Sequence, residues 1–271
     1  MTAQPPTATP GPDAAGQARR TTIVAVIAAL AAIALIVVFA LWPRLTDSSS
    51  APTDQASQPA DQATPEPTET TVPVTPTQPS LAPPHANADY SGVLATPDAP
   101  AQAPLLIIYQ DYQCPWCKIF DQTFSPVIAE AVAAGRLRLE IHTMTFLDGN
   151  LGNDASTRAA VAAACADFFD LYYPFYETVY ANQPATEGDG YSDDLLRATI
   201  PGQLGLSGDA LASFQQCYDT RATLEFVQTV YQRAIEAGVR GTPTYVLDGQ
   251  TLNLDPNDPS TLQAAIDQAN G

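Results

Sequence analysis

The sequence predicts an α/β domain with a helical insertion, set behind a single transmembrane helix and a disordered linker. Three observations carry that prediction. The aliphatic block Leu105, Leu106, Ile107 and Ile108 is too short for an ordinary helix and runs into two cysteines two residues apart, after which helical spacing begins. A long Ala- and aromatic-rich helical stretch then separates this unit from a Gly-Thr-Pro-Thr segment and an Asp-Gly turn. Upstream of both lie 20 uncharged apolar residues and a tract of Pro, Thr, Ser, Gln and Ala.

The chain has 271 residues and a formal net charge of -18, with Lys118 its one lysine. That balance excludes a nucleic-acid partner, because phosphate binding needs clustered Lys and Arg. Residues 1–22 read as a disordered cytoplasmic N-terminus. Residues 23–42 follow Arg19 and Arg20 and have the length that spans a bilayer, about 20 apolar residues. A cleavable signal peptide is the competing reading. Its apolar core runs about 7–15 residues before a small-residue site, whereas Trp42, Pro43 and Arg44 follow here directly, which favours an uncleaved membrane anchor. The arginine bias places the N-terminus in the cytoplasm and everything after Arg44 outside. Residues 43–88 are a low-complexity linker that resists helix and sheet, its ends on the order of 40 Å apart as a coil. Whether its Thr/Ser/Pro tract is glycosylated is open.

Residues 89–271 are globular in composition and long enough for one domain with a core. An edge strand is expected at 90–94, the central strand at 105–111, a helix at 114–134 bent at Pro126, and a parallel strand at 137–146. The insertion, about 154–220, holds a helical stretch at 156–180 divided by Pro174 and two shorter helices within 193–220. A helix at 222–237 leads through 239–244 into a strand at 245–247. An Asp248-Gly249 hairpin turn, a strand at 251–254 and a helix at 260–269 capped by Ser260 complete the chain.

The chemistry centres on Cys114 and Cys117. Pro115 suits the first turn of a helix, so Cys114 falls at a helix N-terminus, where free N–H groups and the positive dipole end favour a thiolate. Cys114 is therefore read as the nucleophile with a lowered pKa, and Cys117, one turn on and shielded, as its resolving partner. Haem attachment would need histidine directly after Cys117, where Lys118 stands. Zinc would need two further ligands, yet His85 falls in the linker and His142 on a strand. No metal or cofactor is expected. Asp111, three residues before Cys114, has two readings: a carboxylate under the motif that exchanges protons with Cys117, or a strand-end residue bonded to backbone. Phe168, Phe169, Tyr172, Tyr173, Phe175, Tyr176 and Tyr180 are read as mostly core, some of them rimming a peptide groove.

The C-P-W-C at a strand-to-helix junction, the Gly241-Thr242-Pro243-Thr244 segment before a hairpin and the helices between resemble the DsbA-like branch of the thioredoxin superfamily. The likeness covers about residues 100–271, with 111–115, 158–165 and 239–244 similar to family motifs. It implies a thioredoxin-like fold, and a cis Thr242–Pro243 bond against the cysteines that offers backbone hydrogen bonds to an extended peptide. Thr242 and Pro243 are the substrate-binding residues on this reading; without the cysteines they would read as a plain turn device. Pro115 and Trp116 are the pair that tunes the potential. The family's best-known oxidant has Pro-His there, so Trp116 removes one source of thiolate stabilisation. With Cys114 and Cys117 paired, Cys165 with Cys217 is what remains, a structural disulfide in an oxidising compartment; the alternative is two buried free thiols packed as small apolar groups.

The function read from the sequence is a membrane-anchored extracytoplasmic thiol–disulfide oxidoreductase that introduces disulfides into exported proteins with free thiols. The resemblance implies a membrane redox partner that reoxidises the motif. The alternatives are a reductase or isomerase of the same compartment, and a thiol-independent, chaperone-like peptide-binding module.

Overall fold

A computed structural model describes residues 81–271. The expected N-terminal segment, membrane span and most of the linker lie outside the described residues. Among those described, no helix is long and apolar enough to cross a membrane.

Strand β1 (Val93–Leu94) is followed by β2 (Leu105–Gln110), α1 (Pro115–Ala133) and β3 (Arg138–Thr143). The β2-α1-β3 unit is a parallel crossover in register from Leu105 opposite Arg138 to Gln110 opposite Thr143. Leu106, Ile108, Leu139 and Ile141 are buried, as expected of a central parallel pair covered by helices. The chain then forms α2 (Phe146–Leu151), α3 (Ala155–Ala166) with a 3-10 turn at Asp167–Phe169, and α4 (Tyr172–Ala181). A π-helical turn, Leu195–Thr199, runs into α5 (Ile200–Gln203), and α6 (Gly208–Asp219) and α7 (Leu224–Glu236) follow. Pro201 explains the widened turn, since it offers no N–H and its ring cannot sit against the carbonyl four residues back. Strands β4 (Thr244–Leu247) and β5 (Gln250–Thr251) and helix α8 (Ser260–Asn270) end the chain. The sheet order is β1-β3-β2-β4-β5, with β4 antiparallel to β2. This is the thioredoxin-like α/β arrangement with a helical insertion.

Helix α3 is the insertion's hub. Its run of alanines leaves ten of its twelve residues buried, since small side chains let neighbouring helices close in on every face. Cys165, near its end, is disulfide-bonded to Cys217 of α6 with Cα atoms 5.9 Å apart. The alternative of two free thiols does not hold here.

Several boundaries differ from expectation, each for a local reason. The folded unit begins before residue 89: Ala86 bridges Val93, Leu94 N donates to His85 O, and His85 Nδ1 meets the buried Asp167 carboxylate at 2.9 Å. His85 is thus held in the fold rather than in the linker. The first strand shortens to Val93–Leu94, because Tyr90 turns the chain with φ 58°. Pro174 lies in the first turn of α4, where it costs little; the division falls at Asp170, with φ 58°. Helix α1 contains Pro126 in its interior, as expected of the 114–134 helix. Residues 252–254 carry no strand, and Ser260 is the first residue of α8 rather than its cap: Pro259 holds the N-cap position, and Asp258 Oδ1 just before it accepts from Ser260 N and Oγ. His142 is a buried strand residue bonded to Glu140, and Gly92 opposite leaves room for its ring: a Cβ there would stand 2.2 Å from Cδ2.

Candidate redox site

Strand β2 ends at Gln110, and four residues carry the chain to α1. Cys114 occupies the N-cap position with extended backbone, φ -73° and ψ 118°, and Pro115 starts the helix. The first-turn N–H groups are therefore free to face its sulfur. No acidic residue lies in that first turn to oppose an anion. Cys114 N donates to Asp111 O at 2.9 Å, closing the loop before the helix.

Both cysteines are free thiols. Cys114 is 6% exposed and Cys117 3%. The Thr242–Pro243 peptide is cis, and the loop carrying it lies against the motif, with Thr242 O accepting from Cys114 Sγ at 3.6 Å. The buried Thr242 hydroxyl makes no hydrogen bond of normal geometry with another group of the protein, yet it lies near enough to Cys114 to favour the thiolate. Trp116 stands out of this surface, 58% exposed, with Ile119 one turn along.

The two sulfurs are electrostatically unlike. Cys114 is lowered to about 6, first by the hydrogen bond from Cys117 and then by Thr242 and the N–H groups of Cys117 and Trp116, against an opposing contribution from burial. Burial, and then the Cys114 thiolate, push Cys117 well above the ordinary thiol value. A thiolate thus forms on Cys114 while Cys117 keeps its proton.

This split fixes a pH dependence. Cys114 has a folded pKa near 6 against an unfolded value of 9.0. Its contribution to the reduced protein's stability is therefore fully present above pH 9.0 and is lost as pH falls through about 6. The alkylation rate of the reduced protein with iodoacetamide should rise with a midpoint near pH 6. A midpoint at an ordinary thiol value, about 8.5, would contradict this electrostatic picture.

Asp111 is fully buried. Its Oδ1 accepts from Gln113 N at 3.0 Å and from Ser156 Oγ, and its Oδ2 from Leu147 N at 3.2 Å. These are the contacts of the strand-end reading, with the carboxylate tying the loop and α2 together. Burial nonetheless pushes Asp111 up to about 7, ahead of the donors that act against it.

The sequence reading missed the side chains that the insertion sends into this loop. Gln183 Nε2 donates to Tyr112 O at 2.8 Å and Cys114 O at 3.0 Å, and Tyr191 OH donates to Tyr112 O at 2.6 Å. Tyr180 OH donates to Gln110 Oε1 and lies 3.2 Å from Asp111 O. Gln113 Nε2 reaches Asp148, Asn153 and Ser156. Of the aromatic run, Tyr172, Phe175, Tyr176 and Tyr180 are buried, while Phe168 is exposed.

A thioredoxin family model matches residues 96–268. The chain belongs to this family. A probable disulfide bond formation protein D of Bacillus cereus is 25% identical over 65% of this chain and 76% of its own length. The serine/threonine-protein kinase PknE of Mycobacterium tuberculosis is 29% identical over 59% of this chain, a match that covers 29% of the kinase. Among solved structures, reduced DsbA of Mycobacterium tuberculosis aligns with a TM-score of 0.56 at 22% identity, over 67% of this chain and 93% of that one, a likeness of fold. This thioredoxin-family member is a DsbA-like thiol–disulfide oxidoreductase.

Proposed function

We propose that this oxidoreductase is held at the outer face of a cell membrane by residues 23–42 and donates disulfides to exported proteins through Cys114 and Cys117. The observation that carries the direction is the asymmetry of the two sulfurs, with Cys114 set where a thiolate is favoured. A dithiol whose thiolate is stabilised gives up electrons reluctantly, so its disulfide oxidises others. The buried disulfide between Cys165 and Cys217 supports an oxidising compartment. The 20-residue apolar segment behind Arg19 and Arg20 supports the anchor.

In the proposed reaction a substrate thiolate attacks Cys114 Sγ of the oxidised motif. The new S–S bond forms as the Cys114–Cys117 bond breaks, and Cys117 departs as a thiolate that takes up a proton. A second substrate thiolate then attacks the substrate sulfur of the mixed disulfide, and Cys114 leaves as the favoured anion. The substrate is oxidised by two electrons and the motif reduced by two. Thr242 and Pro243 sit where an extended peptide would meet the motif, and exposed Trp116 offers it an apolar edge. A membrane partner of higher potential would reoxidise the pair.

The test mixes the oxidised full chain with a reduced two-cysteine peptide. A disulfide in the peptide, with matching appearance of Cys114 and Cys117 thiols by mass spectrometry, is the expected outcome. A peptide left reduced would refute the donor role.

A further inference from the structure

Gln183 follows the end of α4, 66 residues beyond Cys117, yet is 8% exposed and buried against the cysteine loop. Both hydrogens of its side-chain amide are committed to that loop, one to Tyr112 O and one to Cys114 O. These are the carbonyls on either side of Gln113. Cys114 O also receives Lys118 N at 3.3 Å, the first bond of the helix, so Gln183 adds a second donor where α1 begins. On its other side, the backbone carbonyl of Gln183 accepts from Lys118 Nζ at 3.1 Å. That bond ties the side chain of the chain's one lysine, four residues after Cys114, to the segment that follows α4.

Two consequences follow from elementary electrostatics. The carbonyl oxygens of Tyr112 and Cys114 carry partial negative charge within the loop that presents the sulfur, and a donor on each offsets it. The same bonds fix the two peptide planes that set the entry into α1, keeping the first-turn N–H groups aimed at Cys114. We propose that Gln183 is a positioning residue through which the helical insertion holds the reactive loop in the form that favours the Cys114 thiolate. The insertion then helps to set the redox poise of the motif as well as framing it. This deepens the reading above and rests on Cys114 being the reacting sulfur.

The test compares full-length wild type with Gln183→Met, which keeps the bulk and loses both donors, and Gln183→Glu, which keeps the shape and presents a carboxylate. Folding is checked by near-UV circular dichroism. The readouts are the pH profile of Cys114 alkylation and the equilibrium with glutathione. Gln183→Met should move the alkylation midpoint up by about one unit and weaken the oxidant about tenfold in equilibrium constant. Gln183→Glu should move both further in the same direction. Folded variants with the wild-type midpoint and equilibrium would overturn the proposal. So would a failure of both to fold, which would make Gln183 a packing residue. An ordinary thiol midpoint in the wild type would instead count against the reading of Cys114 itself.

Discussion

Cys114→Ser abolishes disulfide transfer, and Cys117→Ser arrests it as covalent adducts with substrate. A serine hydroxyl is almost wholly protonated near neutral pH and forms no disulfide, so the first variant should lose at least about a thousandfold in rate. Its fold should survive, since Cys114 contributes one small side chain to a core extending from Val93 to Ile266. Cys117→Ser cannot hold the donor disulfide but leaves the reactive sulfur in place: the Cys114 thiolate attacks a disulfide-bonded substrate, one substrate sulfur departs as a thiolate, and no Cys117 thiol is present to reverse the step by attacking Cys114 Sγ. Substrate–Cys114 mixed disulfides should then accumulate as bands on non-reducing gels that disappear with dithiothreitol. Full activity in either variant would contradict the roles proposed for the two sulfurs.

Removing the second pair should produce the largest change in stability. The disulfide from Cys165 to Cys217 closes a loop with a sequence separation of 52. The chain-entropy relation gives about 4 kcal/mol for such a loop. Cys165→Ala with Cys217→Ala should therefore lower the melting temperature by roughly 8–16 °C for a domain of this size. Disulfide transfer at room temperature should persist. Helix α3 meets the redox site through Ser156 in its first turn, and Cys165 lies nine residues further along, about 14 Å at a helical rise. A double variant as stable as wild type would show that the link leaves the fold's stability unchanged. Lost transfer in a folded double variant would mean that the link also shapes the redox site.

The parts legible in the sequence were those encoded at short range. The aliphatic block before Cys114, Pro115 at the helix start and the Asp248-Gly249 turn each act within a few residues, and the structure has β2, α1 and the β4–β5 hairpin there. The Ala-rich stretch was legible as helix, while the burial of ten of the twelve residues of α3 is seen only in the structure. Boundaries were less legible where a single backbone angle or side-chain acceptor decided them, as at Tyr90, Asp170 and Asp258. Residues 82–88 have a linker's composition, but His85 finds the buried carboxylate of Asp167 at a sequence distance of 82. The support of the redox loop was illegible for the same reason. Gln183, Tyr180 and Tyr191 reach it from 69 to 79 residues away. Nothing local distinguishes Gln183, which reads as an ordinary polar residue beyond the end of a helix. Asp111 stood between two readings because its neighbours in sequence do not reveal that Leu147 N and Ser156 Oγ converge on its carboxylate.

The central claim is that the Cys114–Cys117 disulfide is an oxidant. Its most direct test is a redox titration of the full chain in glutathione buffers, with free thiols trapped by alkylation and counted by mass spectrometry. The account predicts a potential of about -120 to -180 mV for the Cys114–Cys117 pair, with Cys165 and Cys217 staying paired well below that range. A value near about -270 mV would contradict it and mark the chain as a reductant of its clients.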